Sequence, residues 1–73
     1  MIDNWTGEAK AIIHLNQLKM AEVAEEAGCS VGYLSMVLNC KRRPKDAQAW
    51  IMGAIRRAID EKLYQNALDN MVE

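Results

Sequence analysis

Apolar residues recur every three or four positions along most of this 73-residue chain, the spacing of helices with one buried face. No stretch alternates apolar and polar residues between turn signals, so no strand is predicted. The pattern predicts helices over about residues 6–15, 20–27, 31–39 and 46–70. The expected fold is a small all-α domain of four to five helices.

Polar residues stand where three of these helices should begin. Thr6, Ser30 and Asp46 can each accept hydrogen bonds from the unpaired N–H groups of a first helical turn. The residues expected to be buried on the first two helices are Ala9, Ile12 and Ile13, with Leu15 at the edge, then Met20, Val23, Ala24 and Ala27.

The stretch AEEAGCSVGYLS interrupts the helical pattern for only three residues. Gly28 can end the second helix because glycine enters the left-handed region without a steric penalty. Ser30 then caps the third helix at once. Two short helices joined so closely must cross steeply, and the small Ala24 allows a close approach, so a central helix-turn-helix is predicted.

The third helix divides into two unlike faces. Leu34, Val37 and Leu38 form an apolar face, whereas the opposite face carries small, polar or flexible side chains, namely Gly32, Ser35, Met36 and Asn39. A helix that is anchored by one face and uncluttered on the other can enter the major groove of DNA. The alternative at this point is a plain helical hairpin with a solvated outer face.

The charge of the chain is unevenly distributed. The net charge is −1, but residues 30–57 hold six basic residues against Asp46 alone, a local net of +5. The six are Lys41, Arg42, Arg43, Lys45, Arg56 and Arg57. A local basic patch favours a polyanionic partner even in a nearly neutral protein.

Residues 19–44, KMAEVAEEAGCSVGYLSMVLNCKRRP, resemble the helix-turn-helix of the lambda-repressor-like, Cro/XRE family of phage and bacterial regulators. The family pattern is matched by Ala24, Gly28, Leu34 and Ser35, and its closing turn by NCKRRP. The WTG start and YLSMVLN are similar to short prophage-type members. The resemblance implies a lambda-repressor-like fold and a transcription regulator that binds double-stranded DNA in the bacterial cytoplasm, at the nucleoid.

Three positions depart from the family pattern. Met20 stands where the family often has Gln, and Lys19 is a poor helix cap although its charge could reach a phosphate. Cys40 replaces the turn glycine, so either the turn accepts strain or Asn39 takes the left-handed conformation.

The third helix (31–39) and the basic turn that follows it (41–45) supply the candidate contacts. The expected base contacts are Val31, Gly32 and Met36. The expected contacts to the DNA backbone are Lys19, Tyr33, Ser35, Asn39, Lys41, Arg42 and Arg43. Two of these have alternatives, because the Tyr33 ring could instead be half-buried beside Val37 and Asn39 could instead cap its helix.

Other functions have little support. Cys29, Cys40 and His14 lack the spacing of a metal site, so two reduced thiols, no metal and no cofactor are expected. No nucleophile-base pair or phosphate-binding glycine loop indicates an enzyme or a small-molecule substrate. No signal peptide or membrane span is visible. The rival interpretation is a protein-binding inhibitor or antirepressor on the same scaffold, which would present Glu22, Glu25 and Glu26 to a partner.

The apolar pattern of the fourth helix predicts that the chain associates with a second copy of itself. Its apolar residues recur every four positions at Ala47, Ile51, Ile55, Ile59, Leu63, Ala67 and Met71. Such a stripe winds around the helix, and 25 residues would be about 37 Å long in a globule only about 30 Å across. The helix must therefore bend, fray or meet a partner. We expect residues 1–73 to form one domain, with 58–73 as a homodimerisation extension.

Overall fold

The computed structural model describes residues 4–71 and contains four α-helices and no strand in that part of the chain. The helices are α1 (Asn4–Leu15), α2 (Met20–Ala27), α3 (Val31–Leu38) and α4 (Ala47–Met71). The all-α prediction is confirmed, at the four-helix end of the expected range. Positions 72 and 73 of the predicted dimerisation extension lie outside the described residues.

The start of α1 differs from the sequence prediction. The helix begins at Asn4, so Thr6 lies inside its first turns and is not the cap. The Thr6 side chain is buried, and its Oγ1 lies 3.6 Å from Cys40 Sγ across the fold. Packing against a distant residue therefore places Thr6, which a local capping rule could not anticipate.

α1, α2 and α3 are each followed by a residue with positive φ: Gln17 at 54°, Gly28 at 75° and Cys40 at 63°. Each is followed in turn by an amide that reaches back over the helix end: Leu18 N–H donates to Ile13 O, Cys29 N–H to Ala24 O and Lys41 N–H to Met36 O. These are Schellman turns, which satisfy the last carbonyl groups of a helix. The predicted role of Gly28 is confirmed.

At the end of α3, the strain lies on Cys40 rather than on Asn39. Asn39 has a φ of −98°, whereas Cys40 takes the left-handed conformation that glycine usually supplies. Of the two arrangements that the sequence left open, the strained turn is the one observed.

The core lies between the first half of α4 and the three shorter helices. Ile51 and Ile55 of α4 are almost fully buried, as are Leu34 and Leu38 of α3 and Val23 of α2. Leu18, in the connection that follows α1, is also buried, although it lies between the first two predicted helices and among polar residues. Leu15, expected at the edge of the core, is 78% exposed.

Side chains of α4 also hold the ends of the shorter helices. Trp50 Nε1 donates to Ala27 O at 2.8 Å, and Arg57 Nη2 donates to Glu26 O at 3.0 Å. Lys62 Nζ donates to Gln17 O at 2.7 Å. Three donors from one helix thus satisfy carbonyl groups at or just beyond the ends of α1 and α2, where a helix leaves acceptors unpaired.

The second half of α4 leaves the core. Burial ends at Ala58, and Leu63 is 61% exposed and Met71 76% exposed. The molecule measures 51 Å along its longest axis and 20 and 17 Å along the others. The helix neither breaks nor turns back, so one flank of the predicted stripe has no partner within the described chain. None of the helices in residues 4–71 is long and apolar enough to cross a membrane.

Candidate nucleic-acid interface

α2 and α3 are joined by the three residues 28–30, as the sequence predicts. Ser30 is the N-cap of α3, and its Oγ accepts a hydrogen bond from Tyr33 N–H at 3.1 Å. At the start of α2, Lys19 has no acceptor in its side chain, but its backbone N–H donates to Glu22 Oε1 at 2.7 Å. Lys19 itself is exposed.

The two faces of α3 differ in burial as predicted. Leu34, Val37 and Leu38 are at most 1% exposed and anchor the helix. On the other face Val31 is 45% exposed and Gly32 is exposed, whereas Ser35 and Met36 are half-buried. The outer surface at the start of α3 therefore carries no bulky side chain, and a base-pair edge could approach its backbone closely.

Asn39 joins the end of α3 to α1. Its Nδ2 donates to Ser35 O at 2.9 Å and to Ser35 Oγ at 3.3 Å, while its Oδ1 accepts from Lys10 Nζ at 3.3 Å. Asn39 therefore acts as the helix cap that the sequence offered as one of two roles. The bond also brings Lys10 beside α3, and no local sequence pattern indicates this contact because 29 positions separate the two residues.

The basic turn is wrapped onto the end of α3. The backbone N–H groups of Lys41 and Arg42 both donate to Met36 O, at 2.8 and 3.3 Å. The side chains of Lys41, Arg42 and Arg43 are exposed. Together with Lys10 they form a cationic rim, defined here as Lys10, Lys41, Arg42 and Arg43, along the end of the recognition helix candidate.

Tyr33 is half-buried, and its ring centroid lies 6.1 Å from that of Trp50 with the planes tilted by 49°. Of the two arrangements that the sequence left open for Tyr33, the half-buried one is observed, with Trp50 of α4 as the ring partner. The pair links the first turn of α3 to the helix that carries the core. It leaves Tyr33 at the border between the packed and the open face of α3.

Both cysteines are free thiols and half-buried. Burial raises the pKa of the Cys29 thiol, which reduces its thiolate fraction near neutral pH and hence its capacity to bind metal or act as a nucleophile. Residues 4–71 hold no cluster of three or more metal-ligating side chains.

Two of the three acidic residues of α2 have polar partners within the fold. Glu22 accepts the Lys19 amide, and Glu26 Oε1 lies 3.4 Å from Arg57 Nε. Glu25 is exposed. The three glutamates therefore do not form a uniform, unused acidic face.

Comparison with protein-family models, with curated proteins and with solved structures gives no match.

Proposed function

We propose that this protein binds double-stranded DNA, with α3 in the major groove and the cationic rim on the phosphates. The observation that carries the proposal is the joining of an open helix face to exposed basic side chains from two elements, α1 and the turn after α3. A helix needs an open face to enter the major groove, and exposed basic side chains attract the phosphates of the DNA backbone.

Base recognition in this arrangement is mostly apolar. Val31, Gly32 and Met36 have no side-chain groups that read a base edge by hydrogen bonds, so they would contact thymine methyl groups and groove shape. Gly32 would let the helix backbone approach the base pairs closely. Apart from Asn39 and Tyr33, which take their alternative roles, the contact residues proposed from the sequence are retained, with Lys10 added.

The backbone contacts supply affinity without sequence preference. Lys41, Arg42 and Arg43 would each displace a condensed counterion from the duplex, and Lys10 would add a fourth charge from the adjacent helix. Ser35 and Lys19 would add polar contacts to phosphate or sugar, whereas Asn39 caps α3 and Tyr33 packs against Trp50. The resemblance of residues 19–44 to Cro/XRE regulators extends the proposal to transcription control in a bacterial cytoplasm, as for a phage or prophage regulator.

The salt dependence of binding tests the backbone assignment. The affinity for random duplex DNA is measured from 50 to 200 mM salt for the parent protein and for Arg42→Ala/Arg43→Ala. Because each phosphate contact contributes about 0.9 to the slope of log K against log salt, the double variant should lose about two units. Lys62→Ala, which removes a positive charge far along α4, should leave the slope unchanged.

Selection from a random DNA pool tests the base contacts. The parent should select a preferred sequence, and Met36→Gln should change the preferred base at one position per half-site, because Gln pairs with adenine where Met contacts a methyl group. An unaltered preference in a folded Met36→Gln variant would remove Met36 from the interface.

The protein-binding alternative predicts a different result. If the parent shows no salt-dependent affinity for duplex DNA, the DNA proposal is overturned. The alternative rests mainly on exposed Glu25, since Glu22 and Glu26 already have partners in the fold.

A further inference from the structure

A strip of apolar side chains on α1 and α4 faces solvent. Two shallow grooves meet at Ile59, one lined by Ile12 and Met52 and the other by Leu15 and Leu63 among others. Leu15 is 78% and Leu63 61% exposed, and Ile12, Met52 and Ile59 are half-buried. Contiguous exposed apolar surface of this kind in a small protein marks an interaction site.

The polar and small residues of the same α4 face are arranged symmetrically about residue 58. Arg56 and Asp60, which both line the first groove, lie two positions before and two after it. Ala49 and Ala67, both exposed, lie nine positions before and nine after it. In an antiparallel pair of α4 helices centred on residue 58, Arg56 of one copy would therefore lie level with Asp60 of the other. Ala49 would likewise lie level with Ala67.

We infer that the partner of this strip is a second copy of the same chain, packed antiparallel along α4 with the two-fold axis level with residue 58. Each Arg56 then faces Asp60 of the second copy, and the two Ile59 side chains meet beside the axis. A two-fold contact repeats each pair, so both ion pairs form together.

Other features of the strip fit the antiparallel register. Leu63 of one copy lies opposite Gly53 of the other, next to its Met52, and Ala49 opposite Ala67 allows the helices to approach closely near their ends. Residues 47–69 overlap, over about 34 Å of helix. A parallel pairing would instead set Arg56 beside Arg56 and Asp60 beside Asp60, which like-charge repulsion opposes.

The dimer surface is separate from the proposed DNA surface. No residue of the strip belongs to α3 or to the cationic rim. The inference therefore does not rest on DNA binding, and its test needs no DNA.

Sedimentation equilibrium of the full chain at tens of micromolar tests the register through charge reversal. The parent should be a dimer. Arg56→Asp alone and Asp60→Arg alone should each weaken the dimer about tenfold or more, because each places two pairs of like charges in contact. The double variant Arg56→Asp/Asp60→Arg should recover the dimer, since it restores both pairs with their signs exchanged.

Glu61→Arg is the matched control, because Glu61 is exposed but lies off the strip on α4. It should leave the dissociation constant within about twofold of the parent value. Circular dichroism checks that each variant keeps its helices. A monomeric parent would overturn the inference, and a dimeric parent whose double variant stays monomeric would overturn the antiparallel register.

Discussion

Left-handed residues end three of the four helices, and within residues 4–71 only one of the three is glycine. For a residue with a Cβ, this conformation costs on the order of 1–2 kcal/mol. The cost is offset where the turn satisfies the last helix carbonyls and directs the chain back to the core, as Leu18 does after Gln17. Adding a side chain at Gly28 should therefore destabilise the protein, whereas removing the side chain of Cys40 should stabilise it.

Gly28→Val should destabilise the protein by about 1 kcal/mol or more, because a β-branched side chain would be held at a φ of +75°. A Cβ at Gly28 would meet no atom within 4 Å, so the backbone conformation alone would cause the loss. Thermal unfolding should show a fall in Tm of about 4–8 °C per kcal/mol.

Gly7→Ala is the matched control for Gly28→Val. A Cβ at Gly7 also meets no atom within 4 Å, but Gly7 lies inside α1, where alanine is the better helix former. Its Tm should rise or stay unchanged. A Gly28→Val protein that melts no earlier than the parent would contradict the Schellman account of the turn.

Cys40→Gly should stabilise the protein by about 1 kcal/mol, because glycine tolerates the φ of +63° that Cys40 adopts. Cys40→Ala removes the thiol near Thr6 but keeps the strained backbone, so it should give no gain. Melting curves of the two variants separate backbone strain from the loss of the thiol. Equal Tm values for both would show that the turn stores no strain.

At the scale of elements, α4 organises the fold from one side. Its first half fills the core, and its polar side chains bind the carbonyl groups at the ends of α1 and α2. Those bonds hold α2, and with it the turn into α3, in a fixed position relative to the core. The orientation of the proposed recognition helix thus depends on residues that would contact no DNA.

Trp50→Phe should cost about 1 kcal/mol, because it keeps a ring against Tyr33 but leaves the Ala27 carbonyl without its 2.8 Å donor. The free energy of unfolding in urea measures the loss. Tyr33→Phe preserves both the ring pair and the Trp50 bond, so it should change stability by about 0.5 kcal/mol or less. A larger effect of Tyr33→Phe than of Trp50→Phe would place the stabilising contact elsewhere.

The sequence predicts these elements better than their contacts. Apolar spacing and the cap at Ser30 are local signals, and they place α2, α3 and the start of α4 to within about a residue or two. The role of Thr6 and the pairing of Lys10 with Asn39 depend on residues 34 and 29 positions away, so no local pattern encodes them. Leu18 was missed because it is one apolar residue in a polar turn.

At the scale of the whole molecule, shape and burial divide the chain into a globular part and the projecting second half of α4. The globular part presents α3 and the cationic rim, and the projecting half of α4 carries apolar side chains beyond the core. If α4 pairs two copies, each dimer displays two α3 helices related by a two-fold axis. Such a pair fits a palindromic DNA site with half-sites one or more helical turns apart.

Leu63→Glu tests both parts together. Because Leu63 is 61% exposed in the single chain, the variant should keep its stability and helical circular dichroism, but in the dimer it would bury a carboxylate opposite Gly53 and next to Met52 of the second copy. The variant should sediment as a monomer. It should bind an isolated half-site as the parent does and lose cooperative binding to paired half-sites.

Gln65→Glu adds the same charge off the strip and should preserve both the dimer and its cooperativity. A monomeric Leu63→Glu protein that still binds paired half-sites cooperatively would show that DNA, rather than α4, couples the two copies.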